Sequence, residues 1–276
     1  MNKLSEVYFS VIICIYNGER TLKQALNSLA KQNYPKEKYE IILINDGSED
    51  ESEKICLNFI KENMEKYPII RYVGQENKGL SLARNLGIAL SKGEIVAYID
   101  QDAVADINWI KDLAYEFDVD QDLMVIGGKT EILNDQCWFA NFIFIINYKT
   151  YDNQIAIIGT NMAYRKEIFK KVGGFYKAFK HFGDESIFQR KNILNKYKVK
   201  HANTAIVFHE WPIKLRQWLR ECALNGKYYL CSNKIIQMKR RPKILIKDGL
   251  RLFSILLVPS FLLTLINPSL IPFGLI

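Results

Sequence analysis

The fold is decided by the ten residues Gly93-Glu94-Ile95-Val96-Ala97-Tyr98-Ile99-Asp100-Gln101-Asp102. The run from Ile95 to Ile99 is mostly apolar, which is typical of a strand that is buried on both faces of a parallel sheet. Asp100 and Asp102 follow at its carboxyl end, the edge at which open α/β sheets bind ligands. An acidic turn would look the same in isolation, so the surrounding sequence has to distinguish a ligand site from a turn.

Strands and helices alternate upstream of this stretch. Strands are predicted at Tyr8–Tyr16, Glu40–Asn45 and Ile69–Val73, and helices at Thr21–Ala30, from Ser48 or Asp50 to about Lys66, and from Asn77 to Lys92. This alternation indicates an α/β fold with a mostly parallel, Rossmann-like sheet flanked by helices. On the third helix, an apolar stripe is predicted to face the core; it comprises Leu82, Ala83, Leu86, Ala89 and Leu90.

The alternation becomes irregular after the aspartate pair. Helices are predicted at Asp106–Phe117, Arg165–Val172, Asp184–Lys196 and Pro212–Cys231, and extended segments at Met124–Ile132, Ile155–Tyr164 and Thr204–His209. Between them, residues 136–151 form an aromatic-rich segment whose register the pattern does not define.

Composition favours a globular protein with an anionic partner. Of the 276 residues, 49% are hydrophobic and 25% are charged, and the net charge is +8. A basic cluster within residues 239–251 directly precedes an apolar tail, which favours a membrane surface over nucleic acid as the partner. The five cysteines show no C-x-x-C spacing, which favours a reducing, cytoplasmic location.

The C-terminal tail is predicted to associate with a membrane. Residues 252–276 carry no charge and exceed the roughly 20 apolar residues that cross a bilayer, but Pro259, Pro268 and Pro272 divide them. The tail could therefore span the bilayer or lie on it. We predict a catalytic domain at 1–235 and a basic segment with an apolar membrane-associated tail at 236–276. The positive-inside tendency places the catalytic domain in the cytoplasm, at the inner face of the cell membrane.

Four motifs occur in order along the chain: SVIICIYNGE at 10–19, INDGS at 44–48, NKGLSLARNLG at 77–87 and IDQD at 99–102. Together they resemble the signatures of family 2 glycosyltransferases, inverting enzymes of the GT-A fold. The resemblance implies transfer of a sugar from a nucleoside diphosphate donor, with UDP favoured, to a hydroxyl of a saccharide or lipid-linked acceptor. Such reactions build cell-surface polysaccharides or glycolipids. The implied cofactor is a divalent cation, Mn²⁺ or Mg²⁺.

The resemblance also implies roles for individual residues. The donor-binding residues would be Tyr16, Asn17 and Glu19 near the nucleotide base, Asp46 on uracil, Lys78 and Arg84 near the diphosphate, Asp100 on the ribose or bridging to the metal, and Gly159, Thr160 and Asn161 near the donor sugar and acceptor. Asp102 would bind the metal directly, and His209 could complete that site or be structural. For Arg84, a solvated helix face is the alternative.

The catalytic base is implied to lie near the start of a helix. In the family it occurs within Gly-Glu-Asp after Gly-Gly-Phe, whereas here Gly173-Gly174-Phe175 is followed by Gly183-Asp184-Glu185. The order of the two acids is thus swapped. Glu185 aligns with the usual aspartate and is the favoured base, with Asp184 as the rival. Favourable placement in the helix dipole is the structural alternative for both.

Three other functions compete with this interpretation. An aspartate-nucleophile phosphatase should carry its D-x-D after the first strand of its domain, but three strand-helix units precede it here. A nucleotidyltransferase of related fold should have a glycine-rich basic loop after the first strand, which Asn17-Gly18-Glu19-Arg20 does not provide. A non-catalytic, membrane-attached nucleotide-sugar-binding protein stays open because of the swapped acids.

Overall fold

Eight strands form one sheet in the computed structural model, which describes residues 7–63, 68–147, 158–177, 183–189, 196–221 and 223. The strands are β1 Phe9–Ile15, β2 Tyr39–Asp46, β3 Ile69–Gln75, β4 Ile95–Ile99, β5 Ala103–Ala105, β6 Leu123–Ile132, β7 Asn161–Arg165 and β8 Lys198–His209. The helices are α1 Leu22–Ala30, α2 Ser52–Asn63, α3 Leu80–Leu90, α4 Trp109–Val119, α5 Trp138–Asn147, α6 Glu167–Val172 and α7 Asp184–Phe188, with a 3₁₀ turn at Lys36–Lys38.

The sheet is parallel in one half and mixed in the other. Its order is β3-β2-β1-β4-β7-β6-β8-β5. The four strands β3, β2, β1 and β4 are parallel, as predicted for a Rossmann-like half. Strand β7 is antiparallel to both β4 and β6, and β5 is antiparallel to β8, whereas β6 and β8 are parallel. The prediction of a mostly parallel sheet therefore describes the first half only, because residue patterns locate strands but do not define their partners.

Both faces of the parallel half are covered, which explains the continuous apolar runs in its strands. In β1, Val11 and Ile13 point into one core cluster, which the buried faces of α1, α2 and α4 complete. The intervening Ile12 points into a second cluster, to which α3, α6 and α7 contribute. Successive strand side chains thus alternate between two cores. Because β1, β2 and β4 run parallel, their carboxyl ends lie at one edge of the sheet.

The buried face of α3 differs from the predicted stripe. Its buried residues are Ser81, Ala83, Arg84 and Gly87, whereas Leu82, Leu86 and Leu90 are half-buried and Ala89 is exposed. A Cβ atom at Gly87 would lie 2.7 Å from Cγ2 of Ile12, so the missing side chain lets the helix lie directly on β1. Close approach, rather than large apolar side chains, determines which face is buried.

All described residues belong to the first of two structural units, Met1–Ser232, and the second, Asn233–Ile276, lies outside them. The predicted domain boundary at 235 and the membrane-associated tail therefore stay predictions, as does the helical continuation from 224 to Cys231. Within the described part of the chain, no helix is both long enough and apolar enough to cross a membrane.

Candidate active site

A cavity of about 540 Å³ opens at the carboxyl edge of the parallel strands. Its lining includes nine of the residues predicted to form the site: Tyr16, Asp46, Arg84, Asp100, Asp102, Gly159, Thr160, Glu185 and His209. The other five predicted residues, Asn17, Glu19, Lys78, Asn161 and Asp184, do not line it. Segments that are far apart in the chain thus meet at one cavity, and each predicted residue can be assigned a position in or beside it.

The two aspartates after β4 both face the cavity because the backbone turns directly after the strand. The turn is closed by a hydrogen bond from the Ala103 amide to the Asp100 carbonyl, at 3.2 Å. Asp100 Oδ2 accepts a hydrogen bond from the Thr160 hydroxyl at 2.6 Å. Asp102 Oδ1 lies 3.3 Å from Nε2 of His209, the last residue of β8. Strands from both halves of the sheet therefore build one polar cluster.

This cluster has the chemistry of a divalent-cation site. Each of Asp100, Asp102 and His209 offers a ligand atom, and these atoms lie within 4.8 Å of one another. Burial and the neighbouring Asp102 charge raise the pKa of Asp100. Burial alone would lower the pKa of His209, but the two aspartates raise it to about 9. The raised pKa of His209 indicates that the two carboxylates concentrate negative charge at this position. A site with this charge and these ligand atoms suits a divalent cation such as Mn²⁺ or Mg²⁺.

Gln101, between the two aspartates, was missed by the sequence interpretation. Its side chain accepts a hydrogen bond from the Tyr16 amide at 2.9 Å and donates one to the Tyr16 carbonyl at 3.0 Å. A Cβ atom at Gly18 would lie 2.4 Å from Oε1 of Gln101, so this contact needs the glycine. The middle residue of the motif thus fixes the loop after β1. Strand alternation was the available signal, since Gln101 must point away from its neighbours.

Asp46, predicted to bind uracil, lines the cavity and also fixes the loop between β3 and α3. Its carboxylate accepts hydrogen bonds from the backbone amides of Lys78 and Gly79 at 2.9 and 2.8 Å and from the Gln75 side chain at 2.6 Å. Gly79 has a φ of 93°, which favours glycine. The Lys78 side chain is exposed and lies outside the cavity lining, so its contribution here comes from its backbone.

Asn17 and Glu19 join two loops rather than lining the cavity. Asn17 Oδ1 accepts a hydrogen bond from the Glu49 backbone amide at 2.9 Å, and the Asn17 backbone amide donates to the Ser48 hydroxyl at 3.0 Å. Glu19 Oε2 accepts a hydrogen bond from the Glu51 amide at 3.1 Å. The predicted direct contacts of these two side chains with the donor are therefore not supported by their positions. They hold the loop after β1 against the loop after β2, which places Tyr16 at the cavity.

Asn161 is a core residue, which corrects its predicted place near the donor sugar. It is fully buried. Its Oδ1 accepts a hydrogen bond from the Trp109 indole at 2.9 Å, and its Nδ2 donates to the carbonyls of Lys129 and Ala205 at 2.9 and 3.0 Å. Every polar atom of the amide is thus used to join α4, β6 and β8. Only its neighbours Gly159 and Thr160 face the cavity.

Arg84 lies at the centre of the acidic groups. It is 3% exposed, so a solvated helix face is excluded. Its Nη1 lies 2.5 Å from Asp184 Oδ1 and 3.2 Å from Glu185 Oε2, and its Nη2 lies 3.9 Å from Asp100 Oδ1. The ring of Phe175 lies 5.6 Å from the guanidinium carbon. The guanidinium therefore links the metal-site side of the cavity to the two acids of the Gly-Asp-Glu sequence.

The two acids at the start of α7 have different environments. Asp184 is fully buried and lies outside the cavity lining, whereas Glu185 lines the cavity. Burial raises the pKa of Asp184 to about 8; Arg84 opposes this shift, and Glu185 adds to it. Burial would also raise the pKa of Glu185, but Arg84 and a hydrogen bond from Asp184 hold it below its usual range. The two acids therefore share a proton, and Glu185, which faces the cavity, is the one that ionises more readily.

Asp184→Asn should remove a pH-dependent part of the stability. The pKa of Asp184 rises from its ordinary 3.8 to about 8 on folding, so its bound proton stabilises the folded state at low pH and this contribution is lost as the pH rises towards 8. The free energy of unfolding of the wild type minus that of the variant should therefore decline across this range, as measured by urea denaturation. The exposed Asp122→Asn is the control. A pH-independent difference for Asp184→Asn would contradict the shared-proton arrangement.

The opposite wall of the cavity contains residues that no motif identified. Trp211 lines the cavity, and its backbone is held by Asn134 through hydrogen bonds of 2.7 and 2.9 Å. Arg20 and Glu210 also line it and form a bidentate ion pair with two contacts of 2.7 Å. These residues follow β8 and β1, so their pairing depends on sheet topology, which the sequence did not specify.

Residues 10–173 match the model of glycosyl transferase family 2, and the chain belongs to this family. The predicted resemblance is thereby confirmed, and the chain carries a glycosyltransferase domain. The family match argues against the phosphatase and nucleotidyltransferase interpretations. The matched range contains the loops after β1 and β2, the Arg84 helix and the aspartate pair, and it ends at Gly173.

Similar proteins agree with this assignment. A glucosyl-dolichyl phosphate glucuronosyltransferase from Haloferax volcanii is 25% identical over 178 residues, which are 60% of this chain and 55% of that protein. The mannosyltransferase PcManGT from Pyrobaculum calidifontis, solved with GDP-Man and Mn²⁺, has a TM-score of 0.67 at 17% identity and covers 86% of this chain and 66% of its own. S. aureus TarS 1-349 with UDP-GlcNAc has a TM-score of 0.56 at 23% identity over 74% of this chain and 59% of its own.

The two solved structures establish the GT-A fold and nothing more specific, because both are under 25% identical to this chain. The chain spans only 13% to 55% of the length of the curated relatives that it matches. Two of those relatives have names that refer to teichoic acid biosynthesis or to glucosyl-dolichyl phosphate. The catalysed reaction of this chain has to be proposed from its own site.

Proposed function

We propose that the chain transfers a sugar, with inversion, from a nucleoside diphosphate donor to a hydroxyl of a saccharide or lipid-linked acceptor. One observation carries the proposal: Asp100, Asp102 and His209 lie in the same cavity as Glu185, and Arg84 links the two groups. UDP is the favoured nucleotide because the cavity includes Asp46, which matches the uracil-binding acid of the resembled family. The product would be a cell-surface polysaccharide or glycolipid.

Different residues of the cavity have different roles in the proposed reaction. Glu185 would accept the proton of the acceptor hydroxyl as the hydroxyl oxygen bonds to the anomeric carbon. The bond between this carbon and the diphosphate breaks in the same step, and the nucleoside diphosphate leaves. Asp184 and Arg84 keep Glu185 ionised and fixed in place for this task. Thr160 fixes Asp100, and Gln101 fixes Tyr16 at the nucleotide end. Asp100, Asp102 and His209 would hold Mn²⁺ or Mg²⁺, which, when bound, offsets the charge of the diphosphate.

The proposal is tested with the full chain and a panel of nucleotide sugars in the presence of Mn²⁺. Released nucleotide and labelled acceptor product are both measured, because hydrolysis alone shows donor use without an acceptor. We expect one uridine-linked sugar to be consumed well above the others. The proposal fails if no donor is consumed, or if Glu185→Gln consumes the donor as fast as the wild type.

Asp102→Asn should weaken Mn²⁺ binding at least about tenfold, since an amide oxygen lacks the charge that hard cations prefer. Isothermal titration with Mn²⁺ measures this without any substrate. Asp122→Asn makes the same chemical change at an exposed position outside the cavity and should bind Mn²⁺ like the wild type. Equal affinities of Asp102→Asn and the wild type would exclude this cluster as the cation site.

The apolar tail is proposed to anchor the catalytic domain at the cytoplasmic face of the membrane. Removal of residues 252–276 should make the protein extractable by a wash with about 1 M NaCl, in which the Debye length falls to about 3 Å and only apolar insertion resists. The full chain should stay with the membranes after the same wash, and donor hydrolysis should persist in the truncated chain. Retention of the truncated chain after the wash would count against this role of the tail.

A further inference from the structure

An exposed apolar surface adjoins the cavity and is not used by the proposed reaction. On α5, Trp138 is 72% exposed and Ile145 is 51% exposed. The two residues are seven positions apart, so they lie on one face of the helix. Helix α5 contains no charged residue. A charge-free helix that presents large apolar side chains to solvent indicates an interaction surface.

The segment after β8 adds to this surface. Residues 215–221 are helical. At 100° per residue, Leu215 and Leu219 share one side, Arg216 and Arg220 lie beside them, and Gln217 and Glu221 face the cavity. Both leucines and both arginines are exposed, as are Ile213 and Lys214. The helix thus has separate apolar, basic and cavity-facing sides.

The two segments pack against each other, so their exposed residues adjoin. The rings of Phe139 and Trp218 are 6.5 Å apart, and those of Phe144 and Trp211 are 5.6 Å apart. Trp138 is next to Phe139 in the chain, and Leu215 and Leu219 flank the buried Trp218 on its helix. We call the combined set the apolar-basic surface; it comprises Trp138, Ile145, Ile213, Lys214, Leu215, Arg216, Leu219 and Arg220.

We propose that the apolar-basic surface binds the headgroup region of an anionic lipid bilayer. Leucine and tryptophan side chains on one side of a helix and arginines on the adjacent side are the pattern of helices that lie in a membrane interface. The three basic residues attract anionic headgroups, and the exposed indole suits the boundary between headgroups and acyl chains. Protein interfaces usually surround their apolar centre with a polar rim, and α5 has no charged residue that could form one. The bilayer is therefore the better match.

Bilayer binding at this surface would place the cavity beside the lipid headgroups. Trp211, Gln217 and Glu221 line the cavity from the same segment that carries the exposed leucines and arginines. An acceptor attached to a lipid would then enter the cavity without leaving the membrane. The binding itself does not depend on the proposed reaction, so it can be tested without any donor.

Fluorescence quenching by lipids with brominated acyl chains tests the proposal on the full chain. The chain has four tryptophans and none in the tail; Trp109 and Trp218 are buried, Trp211 is half-buried, and Trp138 is exposed. Vesicles of phosphatidylcholine and phosphatidylglycerol should quench the wild type, and Trp138→Phe should lose most of the quenched signal. Because the tail contains no tryptophan, the quenched signal reports on the described part of the chain.

A charge variant tests the basic side of the surface. Arg216→Gln with Arg220→Gln should lower the ratio of quenched to unquenched Trp138 roughly thirty-fold at a fixed lipid concentration, since each basic residue near an anionic surface contributes a factor of about five. The control replaces two exposed lysines of α1 and α2, Lys23→Gln with Lys61→Gln, and should leave the ratio unchanged. The proposal is overturned if wild-type Trp138 is not quenched, as when the tail or a protein covers the surface. Equal losses in the two charge variants would also overturn it.

Discussion

Glu185→Gln is expected to lower kcat for sugar transfer about a thousand-fold, within the range that general base catalysis contributes. Glutamine has the size of glutamate, and its amide oxygen can still accept a hydrogen bond from Arg84, whose Nη1 lies 3.2 Å from Glu185 Oε2. It cannot take up the proton of the acceptor hydroxyl at neutral pH. KM for the donor should therefore change little, because Asp100, Asp102 and Thr160 are unaltered.

Asp184→Asn is the matched comparison for this prediction. Asp184 is buried behind Glu185 and holds the shared proton at neutral pH, so an asparagine amide can replace its hydrogen bond to Glu185. This variant should keep most of the wild-type kcat, measured with the same donor and acceptor. If Asp184→Asn loses activity a thousand-fold and Glu185→Gln does not, the base is Asp184 and the assignment of this role to Glu185 is wrong.

The strands and the cavity could be predicted because their signals are local. Ile95 to Ile99 is apolar on both faces, and the structure buries all five residues in β4. Asp100 and Asp102 were predicted as ligand-binding residues from their place at the carboxyl end of a buried strand, and both line the cavity. Thr160 and Glu185, which the family resemblance implied as site residues, both line the cavity. Each of these inferences needs only residue type and position along one element.

The contacts that the sequence could not reveal join distant segments. Asn161 follows Gly159 and Thr160, but the first residue of β7 turns inward, where Trp109, Lys129 and Ala205 satisfy its amide. Arg84, predicted to lie near the diphosphate, lines the cavity, and Asp184, one hundred positions further along, lies against its guanidinium. No periodicity in α3 reveals a buried arginine, because burial of the charge is possible only once those carboxylates are in place.

Arg84→Met should destabilise the fold by about 3–5 kcal/mol, the usual result of removing one partner from a buried ion pair. Methionine fills much of the space beside Phe175 and Tyr98, so lost packing is a minor part of this effect. Asp100, Asp184 and Glu185 would then face one another without a cation. Urea denaturation measures the loss. Lys54→Met removes an exposed, ion-paired cation and should change the stability by less than about 1 kcal/mol.

Arg84→Lys distinguishes the effect of Arg84 on Glu185 from its effect on the stability of the fold. Lysine keeps the charge, but a single ammonium group cannot reproduce the forked contacts of the guanidinium with Asp184, Glu185 and Asp100. The variant should fold, yet the pKa of Glu185, which Arg84 holds down against the effect of burial, should rise. The acid limb of the pH profile of kcat should therefore move to higher pH, and activity should recover as the pH is raised until Glu185 is again ionised. A lower kcat with an unshifted pH profile would mean that Arg84 acts only through the fold, since a purely structural role does not change the protonation of Glu185.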